Sequence, residues 1–204
     1  AWANKLKGAG FELTSNYPNI DMSVIFCNMP NIHVVRSSYQ KMFEYISYNI
    51  EEENKVISYL PSTSWYENII ILLKSSFQIY KSIIQNNNIL IHCSDGWDRT
   101  SQLSATSQIL LDKYYRTLDG FICLIEKDWT GFGHQFRYRS DMYSQIDPDT
   151  SSNIRGENQF SPIFIQWLDS IYQLRLQNYS LFEFNYNLLS FFIFDEIKLL
   201  ISLI

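Results

Sequence analysis

The sequence is poor in metal-binding and cross-linking residues. Its 204 residues include three cysteines, Cys27, Cys93 and Cys123, and three histidines. No C-x-x-C pair occurs, so a structural zinc site is not expected, and nothing in the sequence calls for any other cofactor. An odd number of scattered thiols suits a reducing compartment, which a catalytic thiol requires. Positive charge is also scarce: 16 Lys and Arg stand against 21 Asp and Glu, a net −5. That balance argues against a nucleic-acid partner, and any anionic ligand must be met by a few local basic residues. Long apolar runs are missing too. Residues 181–204 are interrupted by Glu183, Asn185, Asn187, Asp195, Glu196 and Lys198, so they read as a buried core helix and not as a membrane span. The opening residues carry no signal-peptide pattern.

What is present is an ordinary globular composition, 46% hydrophobic and 18% charged. The length fits one domain, residues 1–204, without repeats or an obvious linker. The start at Ala1 and the apolar end lead us to expect an excised part of a longer chain.

Residues 22–26 and 32–35 are short apolar runs around Asn28-Met29-Pro30-Asn31 and read as two strands about a turn. Helical spacing follows in Tyr39, Met42, Phe43, Ile46 and Ile50. Ser64 with Glu67 three residues on reads as a capping box. Beyond it Trp65, Ile69, Leu72, Leu73, Ser76, Tyr80 and Ile84 would face inward. Residues 89–91 are wholly apolar and fit a strand buried on both faces of a sheet. A polar loop and then another helix, with Leu103, Ile109 and Leu110, come next. Ser161-Pro162 starts a further helix, and residues 140–160 read as a polar surface loop. The fold class expected from this order is α/β, with a largely helical second half.

The segment Ile91-His92-Cys93-Ser94-Asp95-Gly96-Trp97-Asp98-Arg99-Thr100 carries the chemistry. Five residues separate Cys93 from Arg99, between an expected buried strand and an expected helix. A thiol attacks phosphorus as its thiolate, yet a free cysteine titrates at about 8.5. A helix N-terminus and a neighbouring guanidinium both favour the ionised form. The same backbone amides can hold phosphate oxygens. Five intervening residues suffice to wrap such a cup, and the planar fork of Arg99 can close its rim with two bonds at once. Gly96 suits a tight loop needing positive φ. Thr100 or Ser94 is placed to stabilise the leaving thiolate, and His92 to order the loop. Cys27 and Cys123 are expected to be inert buried thiols.

The run HCSDGWDRTSQL, residues 92–103, closely resembles the active-site signature of the myotubularin-type phosphoinositide 3-phosphatases. Asn31-Ile32-His33-Val34, Trp129 with Phe132-Gly133-His134, Ser161-Pro162-Ile163-Phe164 and Phe182-Glu183-Phe184-Asn185 follow the same family in the same order. The resemblance implies a protein-tyrosine-phosphatase-like central sheet flanked by helices. It implies hydrolysis of phosphatidylinositol 3-phosphate and phosphatidylinositol 3,5-bisphosphate through a phosphocysteine on Cys93. The partners implied are phosphoinositide headgroups at a membrane surface, in the cytoplasm at endosomes, with oligomers formed through regions outside this segment. No W-P-D loop occurs here, and the resemblance implies a general acid within the phosphate loop instead: Asp98 is preferred, with Asp95 as competitor. Ser94, Asp95, Gly96 and Trp97 would line the pocket, joined by Asn4, Lys7 and Asn31. Arg139 would meet the diester phosphate, while Gln135 stands where the family carries a second base. Phe160 and the long 140–160 loop also depart from the family pattern.

Overall fold

In the computed structural model, which describes residues 14–49, 53–140 and 159–199, the chain is wound into helices joined by short irregular segments. The main ones are α1 (Ile32–Asn49), α2 (Glu53–Tyr59), α3 (Trp65–Ile84), α4 (Arg99–Leu111), α5 (Leu118–Ile125), α6 (Phe136–Arg139), α7 (Ile163–Gln177) and α8 (Tyr186–Leu199). A π-helical turn, Glu126–Thr130, continues α5.

The expected α/β class, with its central sheet, is overturned: no strand occurs among the described residues. Residues 32–35 are the first turn of α1, because Asn31 caps it. The Asn31 Oδ1 accepts from the amides of His33 and Val34, each at 3.0 Å. Residues 22–26 and 89–91 are irregular, and Leu90 is 85% exposed. An apolar run becomes a strand only where a neighbouring extended segment takes up its amides and carbonyls. Neither run has one among the described residues.

Helix α4 forms the centre. It packs along α3 and α7, and its buried face mixes Leu103, Ala105 and Ile109 with Ser101, Gln102, Thr106 and Ser107. These polar groups are satisfied internally, as burial demands. The Gln102 amide donates to the Ile163 carbonyl and to Gln166 Oε1, both at 3.1 Å. Thr106 accepts from the Trp167 indole at 3.1 Å. Such bonds fix α4 against α7 in one register, which apolar contact alone does not do.

The inward face of α3 begins as the spacing predicts, with Trp65, Ile69, Leu72 and Ser76 buried, then rotates so that Ile79 is inside and Ile84 exposed. The capping box does not form. Ser64 sits at φ 61°, and the Thr63 hydroxyl instead accepts from the Trp65 amide at 3.2 Å. Ser161 likewise donates to the Ile32 carbonyl at 2.8 Å, tying the start of α7 to α1. Trp65, Trp129 and Trp167 are core residues, whereas Cys123 is exposed, against expectation. No helix among the described residues is long and apolar enough to cross a membrane.

The turn into α5 is closed by Thr117, which accepts from the Gly120 amide at 3.1 Å and donates to the Tyr114 carbonyl at 2.7 Å. A Cβ on Gly120 would lie 1.9 Å from that carbonyl oxygen. Backbone, and not a flexible side-chain end, must then move. Gly120→Ala is expected to cost about 2–4 kcal/mol by overpacking and loss of the cap, read as a lowered denaturant midpoint.

Candidate active site

The loop between Cys93 and Arg99 enters α4 at its N-terminus, where the first amides of a helix have no intrahelical acceptor. Gly96 sits at φ +90°, a conformation that other residues rarely adopt, and this turn points its amide back at Cys93. The Gly96 N–H donates to the sulfur at 3.2 Å. Burial on its own would push the Cys93 thiol up. The hydroxyl and amide of Thr100 and the amides of Gly96 and Asp95 outweigh it, so the thiol titrates below its ordinary value. The Thr100 hydroxyl is buried and has no oxygen or nitrogen partner among the described residues, which leaves its proton for the sulfur.

Arg99 projects over the same loop and donates from Nη2 to Ser94 Oγ at 3.3 Å. Ser94 and Asp95 are exposed, while Gly96, Trp97 and Arg99 are half-buried. The Cys93 sulfur, the amides directed at it and the Arg99 guanidinium therefore share one loop, a set of groups able to bind a phosphate and attack its phosphorus. His92 is exposed, and its ring makes no hydrogen bond among the described residues, so the loop is ordered by other groups.

Those groups lie behind the loop. Asp98 and Arg139 are 7% and 5% exposed. Arg139 donates to both Asp98 oxygens, from Nε at 3.1 Å and from Nη2 at 2.7 Å. Its remaining nitrogen, Nη1, donates to the backbone oxygen and Oε1 of Gln159 at 2.8 and 3.1 Å. His134 Nδ1 lies 2.7 Å from the Trp97 carbonyl and 3.2 Å from Asp98 Oδ1. Burial alone would raise Asp98, but the His134 and Arg139 contacts hold its carboxyl below the usual range.

His134 is held in place by aromatic rings. Trp129 and Phe136 meet it edge-on, with centroids at 4.8 and 4.7 Å. Gly133, at φ +76°, turns the chain so that the His134 amide reaches the Trp129 carbonyl at 2.9 Å. In the sequence His134 stands out only as part of the Phe132-Gly133-His134 block, and no spacing rule points it at Trp97.

The other sequence candidates divide plainly. Asn31 is the cap of α1, and Asn4 and Lys7 lie outside the described residues. So does most of the 140–160 loop. Gln135 turns its amide back to the Gly133 carbonyl at 2.8 Å. No cluster of three potential metal ligands occurs among the described residues.

The thiol's low titration point sets a pH prediction. A depressed cysteine is ionised above its folded pKa, so activity falls as pH drops through that value. Thr100→Val removes one donor to the thiolate. It is expected to move the acid limb of the kcat/KM profile upward by about one to two pH units, the equivalent of one charge-assisted hydrogen bond.

Comparison with known proteins agrees with the loop. The myotubularin-like phosphatase domain model matches residues 1–198. The chain is 41% identical over 186 residues to the human phosphatidylinositol-3,5-bisphosphate 3-phosphatase MTMR4, covering 91% of this chain and 15% of that protein. It is 41% identical over the same length to the rat phosphatidylinositol-3,5-bisphosphate 3-phosphatase MTMR6, covering 91% and 27%. Identity to Xenopus tropicalis myotubularin is 38%, covering 91% and 29%. The chain thus spans less than a third of each of these relatives, yet the family model runs through almost all of it and through the whole phosphate loop. This chain belongs to the myotubularin-like phosphatase family.

Proposed function

We propose that this chain carries the catalytic loop of a phosphoinositide 3-phosphatase acting on phosphatidylinositol 3-phosphate and phosphatidylinositol 3,5-bisphosphate through a phosphocysteine. The observation that carries this reading is the lowered Cys93 thiol, held by amides at the start of α4 with Arg99 six positions on. The names of MTMR4 and MTMR6 support the substrate class.

On this reading the Cys93 thiolate attacks phosphorus and forms an S–P bond while the P–O bond to inositol breaks. Arg99 and the loop amides hold the equatorial oxygens as charge redistributes, which is where an enzyme gains most over water. The inositol oxygen departs with a proton from a loop carboxyl. Water then attacks the phosphocysteine, and the thiolate leaves to the Thr100 hydroxyl and the amides that stabilised it before.

Phosphate release from short-chain phosphoinositides bearing single phosphates at positions 3, 4 or 5, from the 3,5-bisphosphate, and from a phosphotyrosine peptide tests the substrate class. Release confined to the 3-phosphorylated lipids is expected. Preferential release from the peptide would mean a protein phosphatase.

A further inference from the structure

The phosphate loop is held from behind by His134, and His134 is set in turn by the chain just before it. Glu126–Thr130 is a π-helical turn, in which the Gly131 amide reaches five residues back to the Glu126 carbonyl at 2.7 Å. The His134 amide likewise spans five residues to the Trp129 carbonyl at 2.9 Å. An α-helix would reach back four, so this turn carries an extra residue and needs side chains to fix it.

Two neighbours on the turn are buried in different places. Trp129 enters the aromatic core and meets the His134 ring. Asp128, 2% exposed, turns instead to the flank of α4. Its Oδ2 accepts from Gln108 Nε2 and from Ser104 Oγ, the latter at 3.3 Å. Lys127 Nζ stands 3.9 Å from Oδ1, and it donates to Gln108 Oε1 and, at 3.1 Å, to the Tyr115 hydroxyl. Burial pushes the Asp128 carboxyl up against the pull of these contacts. The fold thus keeps a costly group inside, and the phosphate chemistry above does not use it.

We infer that Asp128 is a positioning residue for the phosphate loop. Its bonds to Ser104 and Gln108 lock the wide turn onto α4, and the locked turn presents His134 Nδ1 to the Trp97 carbonyl at 2.7 Å. Gln108 lies nine residues after Arg99, about 14 Å along the helix, so Asp128 acts through His134 and not on the phosphate. A turn relaxed to four-residue bonds would move each later residue by one place and take His134 off that carbonyl. This deepens the phosphocysteine reading above, on which it rests.

The test uses Asp128→Leu, Asp128→Asn and Gln108→Met in the full-length protein, with the Leu and Met variants also combined with His134→Ala. kcat/KM is measured on short-chain phosphatidylinositol 3-phosphate and on an aryl phosphate, and the His134 Nδ1 proton is followed by NMR. A carbonyl only accepts, so the Nδ1 facing Trp97 carries a proton, and a ring with a 0% exposed side chain shelters it from exchange. Asp128→Leu keeps the branched shape and removes the acceptor. It is expected to shift or abolish that proton signal and to lower kcat/KM about 10- to 100-fold, the effect of misplacing a loop by about 1 Å. Asp128→Asn keeps an oxygen where both bonds fall, and should retain the signal and stay within about threefold of wild type. If Asp128→Leu does not fold, Gln108→Met breaks the same contact from α4 and should change signal and rate alike. Each double variant is expected to match His134→Ala alone, since the two residues act as one. An unchanged signal in Asp128→Leu or Gln108→Met, or losses that multiply in the double variants, would overturn the inference. The signal needs no turnover: a wild type inert on the lipid, with the signal lost in Asp128→Leu, contradicts the substrate reading and supports this one.

Discussion

Cys93→Ser is expected to reduce phosphate release by about 10⁴-fold or more, to background, with no change in thermal stability. The argument is electrostatic. The Gly96 N–H at 3.2 Å and the Thr100 and Asp95 donors bring a thiol below its ordinary titration point. The same donors cannot bring a hydroxyl, which starts several units higher, into the neutral range. Phosphate should still bind, because the amides and Arg99 are untouched, so affinity for the 3-phosphorylated headgroup survives while turnover disappears. The half-buried sulfur is close to isosteric with a hydroxyl, and its replacement leaves little cavity. Cys123, exposed and away from the loop sequence, provides the control: Cys123→Ser is expected to match wild type.

Arg139→Ala should be the most destabilising single change near the site. It deletes a guanidinium bonded to both oxygens of a carboxylate that is 7% exposed, leaving Asp98 with His134 alone. Breaking one side of a buried pair costs about 3–5 kcal/mol, because the remaining charge stays where water cannot reach it. Denaturant melts should show a loss of that order. The double variant Arg139→Ala with Asp98→Ala should recover part of it, since no orphan charge remains. The pH dependence has a definite sign. Asp98 is held below the usual carboxylate range, so the Asp98–Arg139 pair contributes fully above about pH 4 and is lost as pH falls through the lower folded value. The stability gap between wild type and Arg139→Ala should close in that acid window. A gap that widened with acid would contradict the ion pair.

The phosphate loop is legible in the sequence because its chemistry is local. Cys93, Gly96, Arg99 and Thr100 are neighbours whose spacing already dictates a cup at a helix start. The sheet was misread for the opposite reason. Residues 32–35 and 89–91 are apolar and short, and such runs take their form from what lies beside them. For the first, the Asn31 cap extends the helix backward by one turn; for the second, the structure offers no strand to pair with among the described residues.

The Asp98–Arg139 pair was illegible on the same grounds. Asp98 and Arg139 are 41 residues apart, and nothing in either local pattern brings them together. The family resemblance implies that Arg139 meets the diester phosphate of the substrate. In the structure all three of its guanidinium nitrogens donate within the protein. The polar face of α4 carries a similar lesson. Gln102 and Thr106 weaken its apolar pattern, yet they specify its contact with α7 through bonds to residues some 60 positions away.

The central claim is that phosphate passes through Cys93. The most direct measurement is to mix the protein with short-chain phosphatidylinositol 3-phosphate, quench within one turnover, and locate the phosphoryl group by peptide mass spectrometry. The account predicts one phosphoryl group on the peptide that contains Cys93 and none in Cys93→Ser. A phosphoryl group on another residue, or full turnover by protein whose Cys93 has been alkylated, would contradict it.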